Sequence, residues 1–149
     1  MQTRIIFHRV FWIGASVFWI AFIFGRSLQP ADQSSQESAS VLALIHQIIP
    51  FMSMHFLRKA AHFGEFFVLG ALLFTTFRVF EKQALLLPAV IGAGVAVTDE
   101  LLQLISPGRS CQISDMLLDF SGALVGVLLM NLLVRIRRVV HQPSERRQS

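Results

Sequence analysis

Charge is scarce in this chain. Of its 149 residues, 15% are Asp, Glu, Lys or Arg and 54% are hydrophobic, whereas a soluble domain carries about a quarter charged residues. So few ionised groups cannot dress a water-exposed surface. That excludes an intrinsically disordered chain and disfavours a soluble enzyme. Cysteine is scarcer still: Cys111 stands alone, which excludes an intramolecular disulfide and a Cys-x-x-Cys metal site. No long internal repeat and no second domain interrupt residues 1–149, and the length suits one domain. No recognised motif accompanies the net charge of +4, so no nucleic-acid partner is expected.

What is present is a set of long apolar runs, and the class they indicate is an integral membrane protein. Crossing the hydrocarbon takes about 20 mostly apolar helical residues. Four runs qualify, at about 5–24, 60–77, 84–105 and 114–134. The first follows Arg4 and Arg9 as a secretory signal would, but Phe24-Gly25-Arg26 offers no small-x-small cleavage site, so it reads as a retained helix. The long connection at 25–59 opens with a polar, turn-rich stretch. It continues as VLALIHQIIPFMSMHFL, which Pro50 interrupts. Val41, Leu42, Ile45, Ile48 and Ile49 recur at helical spacing, which fits an amphipathic interfacial or re-entrant helix better than a fifth span. The expected fold is therefore all-α: a bundle of about four transmembrane helices with one extra helix in the first outer loop and a flexible basic tail at 135–149.

Charge placement sets the orientation. With the amino terminus in the cytoplasm, Arg4, Arg9, Arg78, Lys82, Arg135, Arg137, Arg138, Arg146 and Arg147 lie inside, and Arg26, Arg58, Lys59 and Arg109 lie outside. The positive-inside rule then places both termini in the cytoplasm of a multi-pass protein of the inner (plasma) membrane.

The polar residues within these spans are not scattered. An ionisable side chain in a span costs about 2.5–3.5 kcal/mol on insertion scales. Arg58, Lys59, His62 and Glu65 nevertheless fall in the outer half of the second span. Asp99, Glu100 and Gln103 fall at the outer end of the third, Arg109 in the outer turn, and Asp115 and Asp119 at the opening of the fourth. Arg58, His62, Glu65 and Leu69 share one helical face, as do Asp115, Asp119, Gly122 and Gly126, and as do Ala89, Ala93, Ala96, Glu100 and Gln103. Small residues on these faces would pack the bundle on its inner side, and the polar ones would face an outer cavity. Each residue also has a plainer reading. His62 can be a hydrogen-bonded structural histidine, Arg58 and Lys59 can be interfacial anchors, and Asp99 and Glu100 can sit in water at a frayed helix end. Ser114 suits a helix cap, and Ser106-Pro107-Gly108-Arg109 suits a type II turn. Carboxylates and a His from several helices resemble di-iron ligand sets in kind. Those use Glu-x-x-His twice, whereas His-x-x-Glu occurs here once. No metal and no cofactor are expected.

Two stretches, RKAAHFGEFFVLGALL (Arg58 to Leu73) and TDELLQLISPGRSCQISDMLLDFSGALVGVLL (Thr98 to Leu129), resemble the VanZ-like family of small membrane proteins. The shared pattern is a basic residue with A-H-x-x-E, then D-E-x-x-Q, P-G-R, D-x-x-x-[DN] and Gly-x-x-x-Gly. A Ser-bearing loop after the first helix, here Ser27, Ser34 and Ser38, extends the likeness over most of the chain. Asp119 stands where many members carry Asn. The resemblance implies a role near the cell envelope, in a family named for a protein linked to teicoplanin resistance. It brings no established reaction. The leading expectation is an outward-facing polar pocket that binds or processes an envelope component. In it Arg58, Lys59 and Arg109 would meet an anionic lipid or cell-wall group, His62 and Glu65 would tune protonation, and Asp99, Glu100, Gln103, Asp115 and Asp119 would orient polar parts or hold the bases in place. A second reading is a membrane-embedded hydrolase or transferase with His62, Glu65 and Glu100 as its acid–base core. A third is a structural or transport-accessory membrane protein.

Overall fold

A computed structural model of the chain describes residues 2–80 and 85–140, which form five helices and no strand. They are α1 (Gln2–Ser27), α2 (Ala31–Ile45), α3 (Met54–Val79), α4 (Leu86–Gln103) and α5 (Ile113–Val140). Four of them, all but α2, are long and apolar enough to cross a membrane. The shortest, α4, has 18 residues, about 27 Å at 1.5 Å per residue, close to the roughly 30 Å hydrocarbon thickness. Large apolar side chains remain on the outside of the bundle, among them Phe7, Phe18, Leu117 and Leu132. That outward face suits acyl chains and would be a liability in water.

The α3 helix is the hub and touches every other helix. Its buried face, Phe66, Leu69 and Leu73, meets Ile23 of α1, Val95 and Ala96 of α4 and Ala123 of α5 in one core cluster. Trp19 Nε1 donates to the carbonyl of Glu65 at 2.8 Å, which locks α1 against α3. The tightest seam joins α3 to α5. A Cβ built on Gly122 would lie 2.5 Å from the Phe63 carbonyl oxygen, one on Gly126 would collide with the Phe67 carbonyl, and one on Gly70 with the Ala123 carbonyl. Only hydrogen side chains permit this backbone approach.

The extra helix expected after α1 is present as α2 and includes Val41, Leu42 and Ile45, but it lies earlier in the connection than expected. The polar stretch is the helix: α2 starts behind Pro30 and runs through it, and Ser35 and Ser38 donate to the carbonyls of Ala31 and Ser34 one turn back. Internal bonds of this kind let hydroxyl-rich sequence stay helical. The apolar part at 46–53 is irregular instead, closed by a contact between His46 Nε2 and the Met52 carbonyl at 2.8 Å. The α3 helix begins at Met54, six residues before the expected start, because Ser53 caps it by accepting from the Phe56 N–H at 3.1 Å. At the other end α5 continues to Val140, so residues 135–140 are helical rather than tail; the rest of the expected tail lies outside the described residues.

The seam yields a stability prediction. Gly122→Ala and Gly126→Ala should lower the Tm of the detergent-solubilised protein, since overpacking of this kind costs about 1–3 kcal/mol. Gly94→Ala, whose added carbon meets nothing within 4 Å, should leave Tm unchanged or raise it slightly. Equal melting of all three variants in a thermal unfolding series would contradict the seam.

Candidate functional site

The polar residues converge at the end of the bundle where α1 and α4 finish and α3 and α5 begin. Beneath the surface lies a layer of fully buried acids: Asp99, Glu100 and Asp119 are each 0% exposed. Buried carboxylates need donors, and two of the three have them. Ser27, the last residue of α1, donates its hydroxyl to Asp99 Oδ1 at 2.6 Å. Gln103 Nε2 reaches Glu100 Oε1 at 3.1 Å and Asp99 Oδ2 at 3.5 Å. The backbone N–H of Gln112 donates to Glu100 Oε2 at 2.9 Å, tying the entry of α5 to α4. Asp119 has no hydrogen-bond partner among the described residues, and neither has His62 Nδ1, which lies 3.7 Å from Asp119 Oδ1.

Above this layer the bases sort into paired and unpaired. Lys59 Nζ meets Asp115 Oδ1 at 2.9 Å. Arg26 meets Glu37 of α2 at 2.6 Å and Glu65 of α3 at 3.8 Å. Arg58 and Arg109 have no carboxylate within 4.0 Å among the described residues. Arg109 spends one Nη2 contact on the Arg26 carbonyl at 3.5 Å and leaves Nε buried without a partner. Burial, and after it the Arg58 guanidinium, draws the Arg109 pKa below the ordinary arginine value, while Asp99 and Glu100 pull it back.

The turn that carries Arg109 is built as its sequence indicates. Gly108 adopts a positive φ of 75° and the Arg109 N–H returns to the Ser106 carbonyl at 3.2 Å, as the third position and closing bond of a type II turn require. The Pro107 carbonyl accepts from the Ala31 N–H at 3.0 Å and Ser106 Oγ donates to the Ser27 carbonyl at 2.9 Å. The turn is thereby fastened to both ends of the α1–α2 corner.

A cavity of about 430 Å³ opens here, lined by His55, Arg58, Lys59, His62, Gln103, Arg109 and Asp115 with the turn residues 108, 110 and 112. Beside it lies a smaller one of about 30 Å³, where Arg26, Ser34, Ser38 and Glu65 join Arg58, His62 and Arg109. All ten residues expected in the site thus lie at one end of the bundle, but in two layers. Arg58, Lys59, His62, Gln103, Arg109 and Asp115 line the larger cavity, and Glu65 lines the smaller. Asp99, Glu100 and Asp119 lie below.

Two of the plainer readings and one helical stripe need correction. Asp99 and Glu100 do not sit in water at a frayed end. The buried face of α4 keeps Ala96, Glu100 and Gln103 of the expected stripe and adds Pro88, Gly92, Val95 and Asp99, because Gly92 packs on Ala123 and Asp99 bonds Ser27. Ser114 is inside α5 rather than capping it, and its hydroxyl contacts Asp115 Oδ1 at 3.2 Å. Arg26, Glu37 and Gln112 were missed as site residues. Arg26 carried a signal, a base at the outer end of the first apolar run. The backbone N–H of Gln112 carried none.

The family model described as VanZ/LLP1 matches residues 12–134 of the chain. No curated protein and no solved structure matches it.

The two layers differ in energetic weight. Ser27→Ala removes a donor from a fully buried carboxylate, which typically costs about 1–3 kcal/mol. Lys59→Ala breaks a partly exposed pair worth about 0–1 kcal/mol. Thermal unfolding should show the larger Tm loss for Ser27→Ala; the reverse order would contradict this layering.

Proposed function

The chain belongs to the VanZ/LLP1 family, and from that premise we propose that this multi-pass membrane protein binds an anionic group of a cell-envelope component in its polar cavity. The group is a phosphate or carboxylate on a lipid or cell-wall precursor. One observation supports this above others: Arg58 and Arg109 both line the cavity with no carboxylate within 4.0 Å among the described residues, whereas Lys59 and Arg26 are already paired. Both are half-buried at the cavity wall, and a guanidinium there without a nearby counter-charge is available to an anion. Its planar fork matches phosphate or carboxylate oxygens two at a time. His55 and the Lys59–Asp115 pair complete the rim.

The excess of Lys and Arg at the other end of the bundle orients the protein with both termini in the cytoplasm of the inner (plasma) membrane, so the cavity opens outward. The exposed side chains Ile48, Ile49 and Phe51 after α2 then rest in the outer headgroup layer. An envelope ligand would enter from that side, and teicoplanin susceptibility is the cellular readout suited to the family.

Arg58→Gln and Arg109→Gln should each weaken binding of a short-chain phosphatidic acid to the protein in zwitterionic nanodiscs by about 10–100-fold, since a charge-assisted bond contributes about 1.5–3 kcal/mol. Inorganic phosphate and acetate, titrated in parallel, separate a lipid headgroup from a free anion. In cells, Arg109→Ala and His62→Ala should abolish the envelope or glycopeptide phenotype at normal membrane levels. Retention of the full phenotype by both variants would rule out the site.

A further inference from the structure

We propose that His62, Asp99 and Asp119 hold one divalent cation of the manganese or zinc class beneath the floor of the cavity. These residues come from three different helices, α3, α4 and α5, and one ligand atom from each falls within 4.8 Å of the other two. Donors around a tetrahedral metal at 2.0–2.2 Å lie about 3.3–3.6 Å apart, so the set closes with side-chain movements of about 1 Å.

The second observation is independent of that clustering. Asp119 is 0% exposed, and neither of its carboxylate oxygens has a partner among the described residues. His62 Nδ1 is also buried and unpartnered. Buried carboxylate oxygens without donors are rare in a folded protein, and here both belong to the residue that faces the imidazole at 3.7 Å. By contrast Asp99, the third ligand, is already oriented by Ser27 and Gln103, as outer partners orient a metal-binding carboxylate. The donor set of one imidazole and two carboxylates suits Mn²⁺ or Zn²⁺ better than a soft thiophilic metal.

The charge count agrees. At this end of the bundle Glu37, Glu65, Asp99, Glu100, Asp115 and Asp119 face Arg26, Lys59, Arg58 and Arg109. Asp32, in the first turn of α2, adds a seventh carboxylate, so acids outnumber bases at this end of the bundle. The guanidinium groups of Arg26, Arg58 and Arg109, which share the smaller cavity with His62, repel a cation. The fully buried acids Asp99, Glu100 and Asp119 lie on the side of the ligands. With three protein donors, coordination positions stay open, and His62 lines both cavities.

The cation site does not depend on the anion reading, and the test uses metal alone. The full-length protein, stripped with EDTA in detergent, is titrated with Mn²⁺ while free Mn²⁺ is followed by electron paramagnetic resonance, with Zn²⁺ as competitor. The expected result is saturable binding of one Mn²⁺ per chain, displaced by Zn²⁺. Asp119→Asn should weaken it by about tenfold or more, and Asp32→Asn, at an exposed position on α2, should leave it unchanged. Added Mn²⁺ should also raise the Tm of the wild type and not of Asp119→Asn. No saturable binding by the wild type, or equal binding by Asp119→Asn, would overturn the proposal. So would an Asp119→Asn protein that melts higher than the wild type while neither responds to metal, because Asp119 is then simply a buried neutral acid.

Discussion

The close approach of α3 and α5 is the constraint on which the site depends. Gly70, Gly122 and Gly126 bring two backbones nearly into contact, and the distance fixed there propagates one or two turns along both helices. Residues on those turns include Arg58, Lys59 and His62 on α3 and Asp115 and Asp119 on α5. A methyl group at the seam would push the helices apart. The Lys59–Asp115 pair and the His62–Asp119 contact, at 2.9 and 3.7 Å, would open with them. Packing on the apolar half of the bundle therefore sets chemistry on the polar half.

Around that seam the protein resolves a conflict between burial and charge. Water is not available to solvate ionised groups within a span, so each acid must find donors or a counter-charge inside the protein. Ser27 and Gln103 serve Asp99, Gln103 and the Gln112 N–H serve Glu100, and Lys59 serves Asp115. Left over among the described residues at this end are the guanidinium groups of Arg58 and Arg109, the His62 Nδ1 and the Asp119 carboxylate. The two bases face a cavity and the acid lies under it, which separates where an anion would be held from where a cation would be held. The short helix α2 contributes Glu37 to Arg26 and serine residues to the smaller cavity, so the loop after α1 belongs to the site rather than merely connecting spans.

Much of this arrangement is legible in the sequence. The four spans follow from run length and low charge. The gathering of polar residues at one end follows from their place in each span, and the Pro107-Gly108 turn follows from its residue types. The family likeness reached the Ser27, Ser34 and Ser38 loop that periodicity alone did not connect to the site. Other features were hidden for physical reasons. Hydroxyls that bond their own helix disguised α2 as a loop, and Ser53 as a cap moved the start of α3 back six residues. The buried face of α4 is wider than the expected stripe because its further partners lie on α1 and α5, far away in sequence: Asp99 is buried by Ser27, 72 residues distant. Backbone donors such as the Gln112 N–H carry no residue signature.

The packing of α3 against α5 holds their polar residues together at one end of the bundle, the end proposed above to open outward. It can be tested with Lys59→Cys and Asp115→Cys combined in a Cys111→Ser background, treated in intact cells with a short, membrane-impermeant bifunctional thiol reagent. The account predicts an intramolecular bridge between positions 59 and 115. A bridge that forms only in inverted vesicles would contradict the outward opening, and the absence of a bridge on either side would contradict the convergence itself.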